Sequence, residues 1–510
     1  MKLCRYSCRA RLLILGALAS GLILAPNLTA SAVTSQTSTA LVETADPSPE
    51  AEWPKTQTSA IKPKAENNNG TPKTQTTATK PKPPTPSPAP SKPSAAAVAD
   101  EDAPELDSPD DQGTNPGSDS AQASQIEKPG ESKPKNEKPT KPEKLEPATF
   151  TIVAAGDVLL HNAINRYAKT STGYDYDKML TDLDPWVQNA DLALCNMETP
   201  IAPPGLNASY QGGNNENGPI PRFGVPKEIV RDLAKHGWDG CSTATNHSLD
   251  QGWLGIEATL DEFEKYGLGA VGTARTKTES QQPQFYKLER NGQSIKVAHL
   301  AMTWSTNGVP LPKDKPWAVQ TLDTKRIISQ ATSARKAGAD LVIVSLHAGI
   351  EYTEQLHPVQ QSVPPELAKS GLVDLVIGHH PHVPQRIAKL KGGPNGNGMW
   401  VAYSLGNMIS AQAEPERNTG LLLIADVAAQ DGSARIKGVT YVGTVIDRPA
   451  GYRVRVISDR LKNPTGAGFS TADLNSRREI AARAVAGGAP ERTTPPTPTG
   501  EPPTVIPRKR

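Results

Sequence analysis

The sequence predicts an α/β domain with a metal site at the carboxyl ends of its strands. Short apolar runs typical of buried strands alternate with segments of helical period. Each of five runs stops at metal-binding side chains, and six of the nine histidines lie in or beside these ends. Open α/β sheets bind ligands beyond the carboxyl ends of their strands, so one shared site is expected. The runs and their ends are TIVAAG at Asp157, LALC at Asn196 and Glu198, CSTAT at Asn246 and His247, LVIVSL at His347, and LVIGH at His380 and His382.

The elements follow the alternation of strand and helix found in βα units. The first strand is predicted at Phe150–Ala155. A helix is predicted over LGIEATLDEFEKYG, whose apolar residues recur with helical period and which Gly267 ends as a C-cap would. A second helix, Thr324–Gly338, precedes LVIVSL. Two further strands are KVAHLAMTW and WVAYSLGN, and three antiparallel strands are expected at LLLIADV, ARIKGVTYV and YRVRVIS.

Composition limits the folded part of the 510 residues to one domain, residues 149–461. Residues 33–148 are rich in Pro, Lys, Thr and Ser, with almost no aromatic residues between Trp53 and Phe150. Such a segment buries too little apolar surface to offset chain entropy, which predicts a disordered linker. The same argument predicts that residues 462–510 form a disordered Pro-rich tail.

The N-terminus has the layout of a secretory signal. Four basic residues precede an apolar run from Leu12 to Ala25, and Ala30-Ser31-Ala32 follows as a small-residue cleavage site. The run is shorter than the roughly twenty residues that span a bilayer. We therefore expect residues 1–32 to direct export and to be cleaved after Ala32, with an uncleaved signal anchor as the alternative. The protein is expected at the cell surface, bound to wall or membrane, or secreted.

Charge and cysteine content narrow the partners and the chemistry. The net charge of +2 and the lack of a basic stripe among aromatics give no argument for nucleic acid. The lysines of the linker could contact acidic envelope polymers non-specifically. Cys195 and Cys241 each end a predicted strand. Two buried thiols are the favoured interpretation, and a disulfide, which export would permit, is the alternative.

Six motifs in one order carry a family resemblance. The chain reads GDVLLH, NMETP, TNHSLDQG, HAGIEY, GHHPHVPQ and YSLGN over roughly residues 149–445. In this order it resembles the CapA family of poly-γ-glutamate capsule proteins, which are similar to calcineurin-like metallophosphoesterases. The resemblance implies a four-layer sandwich, with two mixed sheets flanked by helices.

The same resemblance implies a ligand set for one or two divalent ions. Asp157 and His382 would bind one metal, and Asn246, His347 and His380 the other. His247 would donate a proton or stabilise developing charge, while Asp250 would hold it in one tautomer. Oxygen and imidazole ligands suit Mn, Fe, Zn or Mg.

Two departures from the phosphoesterase pattern matter. Its first motif is Asp-x-His, whereas here His161 stands four residues after Asp157. Its bridging aspartate is replaced by Asn196-Met197-Glu198, so Glu198 is the only carboxylate there that could bridge. One ion, or a differently spaced pair, is therefore possible, and phosphoesterase activity does not follow from the likeness.

Structural roles compete with these assignments. Asp157 could cap a helix, Glu198 could be a buried hydrogen-bond partner, and His380 and His382 could lie in a surface loop. Strand alternation directs His379 away from the site, and His161 could be a ligand or not. The candidate contacts for an anionic substrate are Arg222, Tyr352 and Arg386.

Three functions remain open for an exported protein that handles an anionic polymer such as poly-γ-glutamate. It could be a metal-dependent hydrolase or transferase of γ-glutamyl amide bonds, a surface metallophosphoesterase, or a non-catalytic component of polymer export or anchoring beside membrane-bound synthesis machinery. A histidine such as His247 that is not itself a ligand, placed beside metal ligands, favours an enzyme.

Overall fold

Two mixed β-sheets packed face to face form the centre of the domain. The computed structural model describes residues 146–206, 208–211, 220–464, 468–498 and 500–510. The strands are β1 Ala148–Val158, β2 Leu192–Met197, β3 Ser209–Gln211, β4 Arg222–Gly224, β5 Gly240–Ser242, β6 Gly269–Val271, β7 Gln284–Arg290, β8 Gln293–Thr303, β9 Leu341–His347, β10 Leu375–His379, β11 Ile387–Leu390, β12 Met399–Ala402, β13 Asn407–Ile409, β14 Thr419–Gln430, β15 Ser433–Asp447, β16 Arg453–Val456 and β17 Thr504–Ile506.

Helices connect these strands and cover the sheets. They are α1 Asn162–Ala168, α2 Asp177–Leu180, α3 Asp184–Val187, α4 Glu228–Lys235, α5 Gly252–Lys265, α6 Lys277–Ser280, α7 Thr324–Lys336, α8 Pro358–Ser370, α9 Pro415–Asn418, α10 Ile457–Lys462 and α11 Thr471–Val485. Among the residues described, no helix is both long and apolar enough to cross a membrane.

The first sheet has the order β16-β15-β14-β1-β2-β5-β6, with β13 beside β1. Strands β1, β2, β5 and β6 run parallel, whereas β14, β15 and β16 are antiparallel. The second sheet has the order β11-β12-β10-β9-β8-β7-β17. Its central strands β8, β9, β10 and β12 are parallel. The parallel centres of both sheets place several strand ends at one edge.

The core consists of three apolar layers separated by the two sheets. In β1, Phe150 and Ile152 face the second sheet, and Val153 and Ala155 face the helices on the other side. Both faces of the strand are buried, which explains its unbroken apolar sequence. A third cluster packs α7 and α8 on the outer face of the second sheet. The predicted four-layer arrangement is confirmed.

Several elements were predicted close to their observed bounds. The first strand begins at Ala148, and the two predicted helices correspond to α5 and α7. The three antiparallel strands correspond to β14, β15 and β16. The predicted signal and almost all of the predicted linker, residues 1–145, lie outside the described residues.

The prediction of a disordered tail at residues 462–510 is wrong for most of that segment. Helix α11 begins with a capping box in which Ser470 and Asp473 satisfy each other's backbone N–H groups. Its side chains Ala481 and Val485 are buried in the central core. Strand β17 then pairs antiparallel with β7 at the edge of the second sheet. A few apolar residues at helical spacing thus suffice to hold α11 in place, because the domain supplies the apolar surface that they cover.

The favoured interpretation of two free thiols is also wrong. Cys195 of β2 and Cys241 of β5 are register partners on adjacent strands, with Cα atoms 4.4 Å apart. The structure joins them in a disulfide. Adjacent parallel strands bring the two sulfurs together, which sequence alone could not establish because it does not show which strands are neighbours.

Candidate metal centre

The predicted ligands meet at the common carboxyl edge of the two sheets. Asp157 of β1 is the register partner of Asn196 of β2, and His347 at the end of β9 is the partner of His379 at the end of β10. The turn after β5 contributes residues 246–250, and the segment after β10 contributes residues 380–382. All the predicted ligands are buried, namely Asp157, Glu198, Asn246, His347, His380 and His382.

Glu198 lies at the centre of this cluster. Its Oε1 atom is 3.7 Å from Nε2 of His347 and 3.6 Å from Nε2 of His382. Two triads of possible ligand atoms contain it, one with His347 and His380 and the other with Asp157 and His382. Within each triad the ligand atoms lie within 4.8 Å of one another. Glu198 therefore has the position that a bridging carboxylate between two ions would need.

Two asparagines fix the geometry around His347. Oδ1 of Asn246 lies 2.9 Å from Nε2 of His347. On the other side of the ring, Nδ2 of Asn196 lies 3.2 Å from Nδ1 of His347 and donates to Oδ1 of Asp157 at 2.9 Å. Asn196 thus connects the two triads by hydrogen bonds, and Asn246 joins the triad that contains His347.

The segment after β10 bends sharply around Asp157. His380 and His382 have φ angles of 96° and 58°, in the left-handed region that side chains other than glycine rarely adopt. The backbone N–H of His380 donates to Oδ2 of Asp157 at 3.2 Å. Nδ1 of His382 donates to Oδ1 of Asn407 at 3.0 Å, which turns Nε2 toward Glu198. Backbone strain of this kind is concentrated at functional sites.

The surroundings shift the pKa values of Asp157 and Glu198 in opposite directions. Burial opposes ionisation of Asp157, but His379 and His382 outweigh it and hold the pKa of Asp157 well below its usual range. Burial, reinforced by the charge of Asp157, raises the pKa of Glu198. Burial lowers the pKa of His382, yet Glu198 and Asp157 outweigh it and raise that pKa to about 10. The two carboxyl groups thus favour the protonated, positively charged form of His382.

The donor set fits a divalent ion. Both carboxyl oxygens of Glu198, Oδ1 of Asn196 and Nδ1 of His380 are buried and have no hydrogen-bond partner among the described residues. Buried polar atoms are normally paired, and a bound cation would satisfy these atoms together. Carboxylate, amide and imidazole donors suit Mn, Fe, Zn or Mg, while thiolate is absent because both described cysteines are in the disulfide.

His247 and Asp250 form a separate pair beside the ligands. Nδ1 of His247 donates to Oδ2 of Asp250 at 2.7 Å, as predicted for a residue that fixes one tautomer. Asp250 also accepts from the backbone N–H of Phe223 at 2.8 Å. The Phe223 ring meets the His247 ring edge-on, with centroids 4.8 Å apart. His247 is therefore oriented on two sides while its sequence neighbour Asn246 reaches His347.

The sequence comparisons fit this geometry. The family model described as "Bacterial capsule synthesis protein PGA_cap" matches residues 151–412, just over half of the chain. The chain belongs to this family. The match contains every residue of the two triads and the His247–Asp250 pair.

Curated proteins similar to this PGA_cap chain include two from Bacillus. "Capsule biosynthesis protein CapA" of Bacillus anthracis is 27% identical over 281 residues, which cover 54% of this chain and 62% of that protein. "PGA biosynthesis protein CapA" of Bacillus subtilis (strain 168) is 27% identical over 258 residues, with 50% and 62% covered. The chain thus spans about three fifths of the length of these relatives.

Solved structures similar to the PGA_cap chain match it at low identity and with low TM-scores. NAD nucleotidase of Haemophilus influenzae is 12% identical, with 68% of this chain and 65% of that chain covered and a TM-score of 0.37. A calcineurin-like phosphoesterase from Bacillus subtilis is 15% identical, with 67% and 99% covered and a TM-score of 0.34. At these TM-scores the likeness carries no functional argument.

Three residues at the PGA_cap site were not predicted as part of it. Glu351 forms a third triad with His380 and His382. Asn407 binds His382. His379, which strand alternation had excluded, places Nδ1 3.5 Å from Oδ1 of Asp157. Glu351 and Asn407 stand in the motifs HAGIEY and YSLGN, so the motifs were a signal, but a single sequence does not show which of their residues face inward.

The structure shows the positions of Asp157 and His161 relative to helix α1 and the two triads. Asp157 lies within β1 and caps no helix, because α1 begins at Asn162 with His161 as its N-cap. The His161 ring lies 5.6 Å from the Phe223 ring, and its Nδ1 accepts from the backbone N–H of Ala411 at 3.3 Å. Burial lowers the pKa of His161 to about 4. His161 thus lies beside the His247 pair and outside the two triads.

The three predicted substrate contacts differ in position. Tyr352 stacks on His382 with ring centroids 5.8 Å apart, and the Arg417 guanidinium lies 3.6 Å from the Tyr352 ring centre. Arg222 precedes Phe223 in β4, so strand alternation directs it away from the side that meets His247. Arg386 is exposed and its guanidinium lies 4.8 Å from the centre of the Tyr403 ring, on the outer side of the second sheet. The structure thus places Arg386 away from the cluster, because the chain reverses before β11.

Proposed function

We propose that this protein is an exported capsule-synthesis component whose buried centre cleaves or transfers γ-glutamyl amide bonds of an anionic polymer, with one or two divalent ions. Membership of the PGA_cap family supports a role with such a polymer. One observation carries the catalytic part. A buried set of acceptors without hydrogen-bond partners among the described residues lies beside an oriented histidine–aspartate pair.

The ligand residues would hold the ions in two overlapping groups. Asp157 and His382 form one, His347, His380 and Asn246 the other, and Glu198 belongs to both. Bound there, a divalent ion would activate water and polarise the oxygen of the attacked group.

His247 is proposed to move the proton. Hydrolysis of an amide breaks its C–N bond, adds the hydroxyl of water to the carbonyl carbon, and gives a proton to the departing nitrogen. With Nδ1 bonded to Asp250, the His247 ring has Nε2 available for that transfer. The bond to Asp250 also holds the His247 ring in one orientation.

Positive charge at the rim would select an anionic substrate. The Arg417 guanidinium lies over the Tyr352 ring, and that ring stacks on His382. Tyr352 is half-buried, so it can form one wall of the entrance and keep Arg417 close to the centre. We propose that these two residues contact carboxylates of the polymer.

A surface metallophosphoesterase is the second candidate. The Asn246–His247 pair and the His380 and His382 positions resemble the phosphoesterase motifs, and Glu198 belongs to both triads, where a bridging carboxylate would be needed. The reaction would differ in the atom attacked, phosphorus in place of carbon. A non-catalytic role in polymer export or anchoring would leave the His247–Asp250 pair unused.

The test compares metal content and two activities in the purified protein. We expect at least about half an ion per chain without added metal, and cleavage of a γ-glutamyl polymer but not of a generic phosphodiester. His247→Ala should abolish turnover and keep the metal, because His247 acts on the substrate. The matched control is His236→Ala, another buried histidine paired with an aspartate, 2.6 Å from Asp184 and distant from the cluster in the fold. A protein without metal, or one with equal loss in both variants, would contradict the proposal.

Export is part of the proposal and rests on the N-terminal sequence. The basic residues, the apolar run from Leu12 to Ala25 and the small residues at 30–32 support it. Mass spectrometry of the mature protein checks the form. An N-terminus at Val33 with release into the medium means a secreted protein, an intact N-terminus in the membrane fraction means an anchor, and an intact soluble chain in the cytosol contradicts export.

A further inference from the structure

The loop that follows β8 borders the metal centre, although none of the proposed ligands lies on it. Strand β8 ends at Thr303, the register partner of His347. The next backbone N–H, that of Trp304, donates to the His347 carbonyl at 3.0 Å. The loop of residues 303–309 therefore leaves the sheet beside a proposed ligand.

Asn307 of this loop contacts Asn246 directly. Nδ2 of Asn246 donates to Oδ1 of Asn307 at 3.3 Å, while Oδ1 of Asn246 faces Nε2 of His347 at 2.9 Å. A carboxamide can be turned by half a rotation, which exchanges its oxygen and nitrogen. The bond to Asn307 selects the orientation in which the oxygen of Asn246, its only metal-binding atom, faces the centre.

The other amide atom of Asn307 is unused. Its Nδ2 is buried and has no hydrogen-bond partner among the described residues. Most buried donors have an acceptor, so this N–H group is available to an acceptor on a bound ligand. Oδ1 of Asn307 accepts from Asn246, which is a proposed ligand. The unused donor, Nδ2 of the same amide, therefore lies close to the proposed ligands.

The loop holds Asn307 in place through its own hydrogen bonds. Its backbone N–H donates to Oγ of Ser305 at 3.0 Å, and Oγ1 of Thr303 donates to the Ser305 carbonyl at 2.7 Å. Asn307 has a φ of 53°, a left-handed conformation that asparagine tolerates better than most residues. A donor held in this way is oriented before the substrate arrives.

Two exposed apolar side chains follow the ends of β8 and the adjacent β9. Trp304 follows β8 and is 45% exposed, and Ile350 follows the adjacent β9 and is 47% exposed. The Trp304 ring also packs against His357, with centroids 4.4 Å apart, which fixes the indole at the rim. An indole fixed in this way offers a flat apolar surface to the methylene groups of a glutamyl chain.

We propose that the loop of residues 303–309 is the substrate-facing wall of the centre. Asn307 positions Asn246 through Oδ1 and donates from Nδ2 to the carbonyl oxygen of the γ-glutamyl bond, while Trp304 supports the chain beside it. This inference rests on the proposed function and adds to it a positioning residue and a substrate subsite.

The test uses two substitutions at Asn307 in the full chain. Asn307→Gly removes both amide atoms without backbone strain, since glycine adopts positive φ freely. We expect metal content and kcat to fall, the affinity for the ion by about 10- to 100-fold. Asn307→Asp keeps an oxygen for Asn246 and removes the donor, so metal content should be retained while kcat falls at least about tenfold.

Asn291→Gly is the matched control. Asn291 also precedes a glycine, has a φ of 51°, and lies in the turn at the opposite end of β8. It should match the wild type in metal content and kcat. Trp304→Ala should raise KM for a γ-linked glutamate oligomer about fivefold and leave kcat within about twofold, and Trp304→Phe should restore most of the binding.

The outcomes separate this inference from the proposed function. If the wild type holds metal but cleaves neither substrate, the proposed function fails, and metal content of Asn307→Gly still decides the positioning role. Asn307→Gly with the metal content and kinetics of Asn291→Gly overturns the inference while the proposed function stands. Asn307→Asp with wild-type kcat overturns the donor role alone, and a wild type without metal overturns both proposals.

Discussion

Glu198→Gln should separate a metal ligand from a structural carboxyl group by the sign of its effect on stability. The side chain is at the centre of both triads, and neither oxygen is hydrogen-bonded within the described residues. Burial also raises the pKa of Glu198, so the carboxylate form is unfavourable without an ion. Glutamine has nearly the same shape and carries no charge. In metal-free protein the variant should therefore be at least as stable as the wild type.

Added metal should reverse this order. An ion at 100 times its Kd stabilises the wild type by about 2.7 kcal/mol. Loss of the shared ligand from both triads should weaken binding at least about 100-fold, which leaves the variant about 0.4 kcal/mol of stabilisation at the same concentration. With an unfolding entropy of about 2.1 cal/mol/K per residue over the roughly 350 described residues, the wild type should gain about 4 °C and the variant about 0.5 °C.

The assay is thermal unfolding of both proteins, first in chelator and then with a series of metal concentrations. Far-ultraviolet circular dichroism confirms that both start folded. An equal rise of Tm in the two proteins would show that the ion binds elsewhere. A large loss of Tm for the variant in chelator would show that Glu198 stabilises the fold by itself, and the bridging role would then be refuted.

Three further expectations concern parts of the fold outside the cluster. Replacing both Cys195 and Cys241 with alanine should lower stability by about 2–4 kcal/mol, and reductant should lower the wild-type Tm to the same value while leaving the variant unchanged. Arg508→Ala should cost about 1–3 kcal/mol in denaturant unfolding, because the buried guanidinium donates to the backbone carbonyls of Thr273 and Glu279; an unchanged midpoint would show that these two bonds add nothing. The pKa of His236 is raised because its bond with Asp184 outweighs the opposing effect of burial, so its stabilisation is complete below the unfolded pKa of about 6.5 and is lost as pH rises through the folded value. His236→Gln should thus be more destabilising at pH 5.5 than at pH 9 in urea unfolding, and the same loss at both pH values would refute this.

The sequence could predict the parts of the fold that depend on local pattern. Ligands bind beyond the carboxyl ends of the strands in a parallel sheet. Runs that stop at Asp157, His347 and His380 therefore predicted that these side chains share one edge. The structure brings these residues together as expected. Their roles as ligands stay predictions.

What could not be predicted depends on contacts distant in sequence. The helix of residues 471–485 is polar and Pro-rich at its flanks, and it is ordered because the central core covers its few apolar residues. Its capping box, Ser470 with Asp473, was a readable signal that average composition concealed. His379 was excluded by strand alternation, yet β10 ends at this residue and the chain bends, so the alternation rule no longer applies there.

The disulfide connects two strands that lead into the same candidate metal centre. Cys195 lies three residues before Glu198, and Cys241 lies five residues before Asn246. If oxidation of the cysteines changes the affinity of the centre for an ion, the two equilibria are linked. Such coupling is reciprocal. The factor by which oxidation changes the affinity for the ion therefore equals the factor by which the bound ion changes the equilibrium between disulfide and thiols. If oxidation strengthens binding of the ion, withholding metal from this protein would make its one described covalent cross-link easier to open.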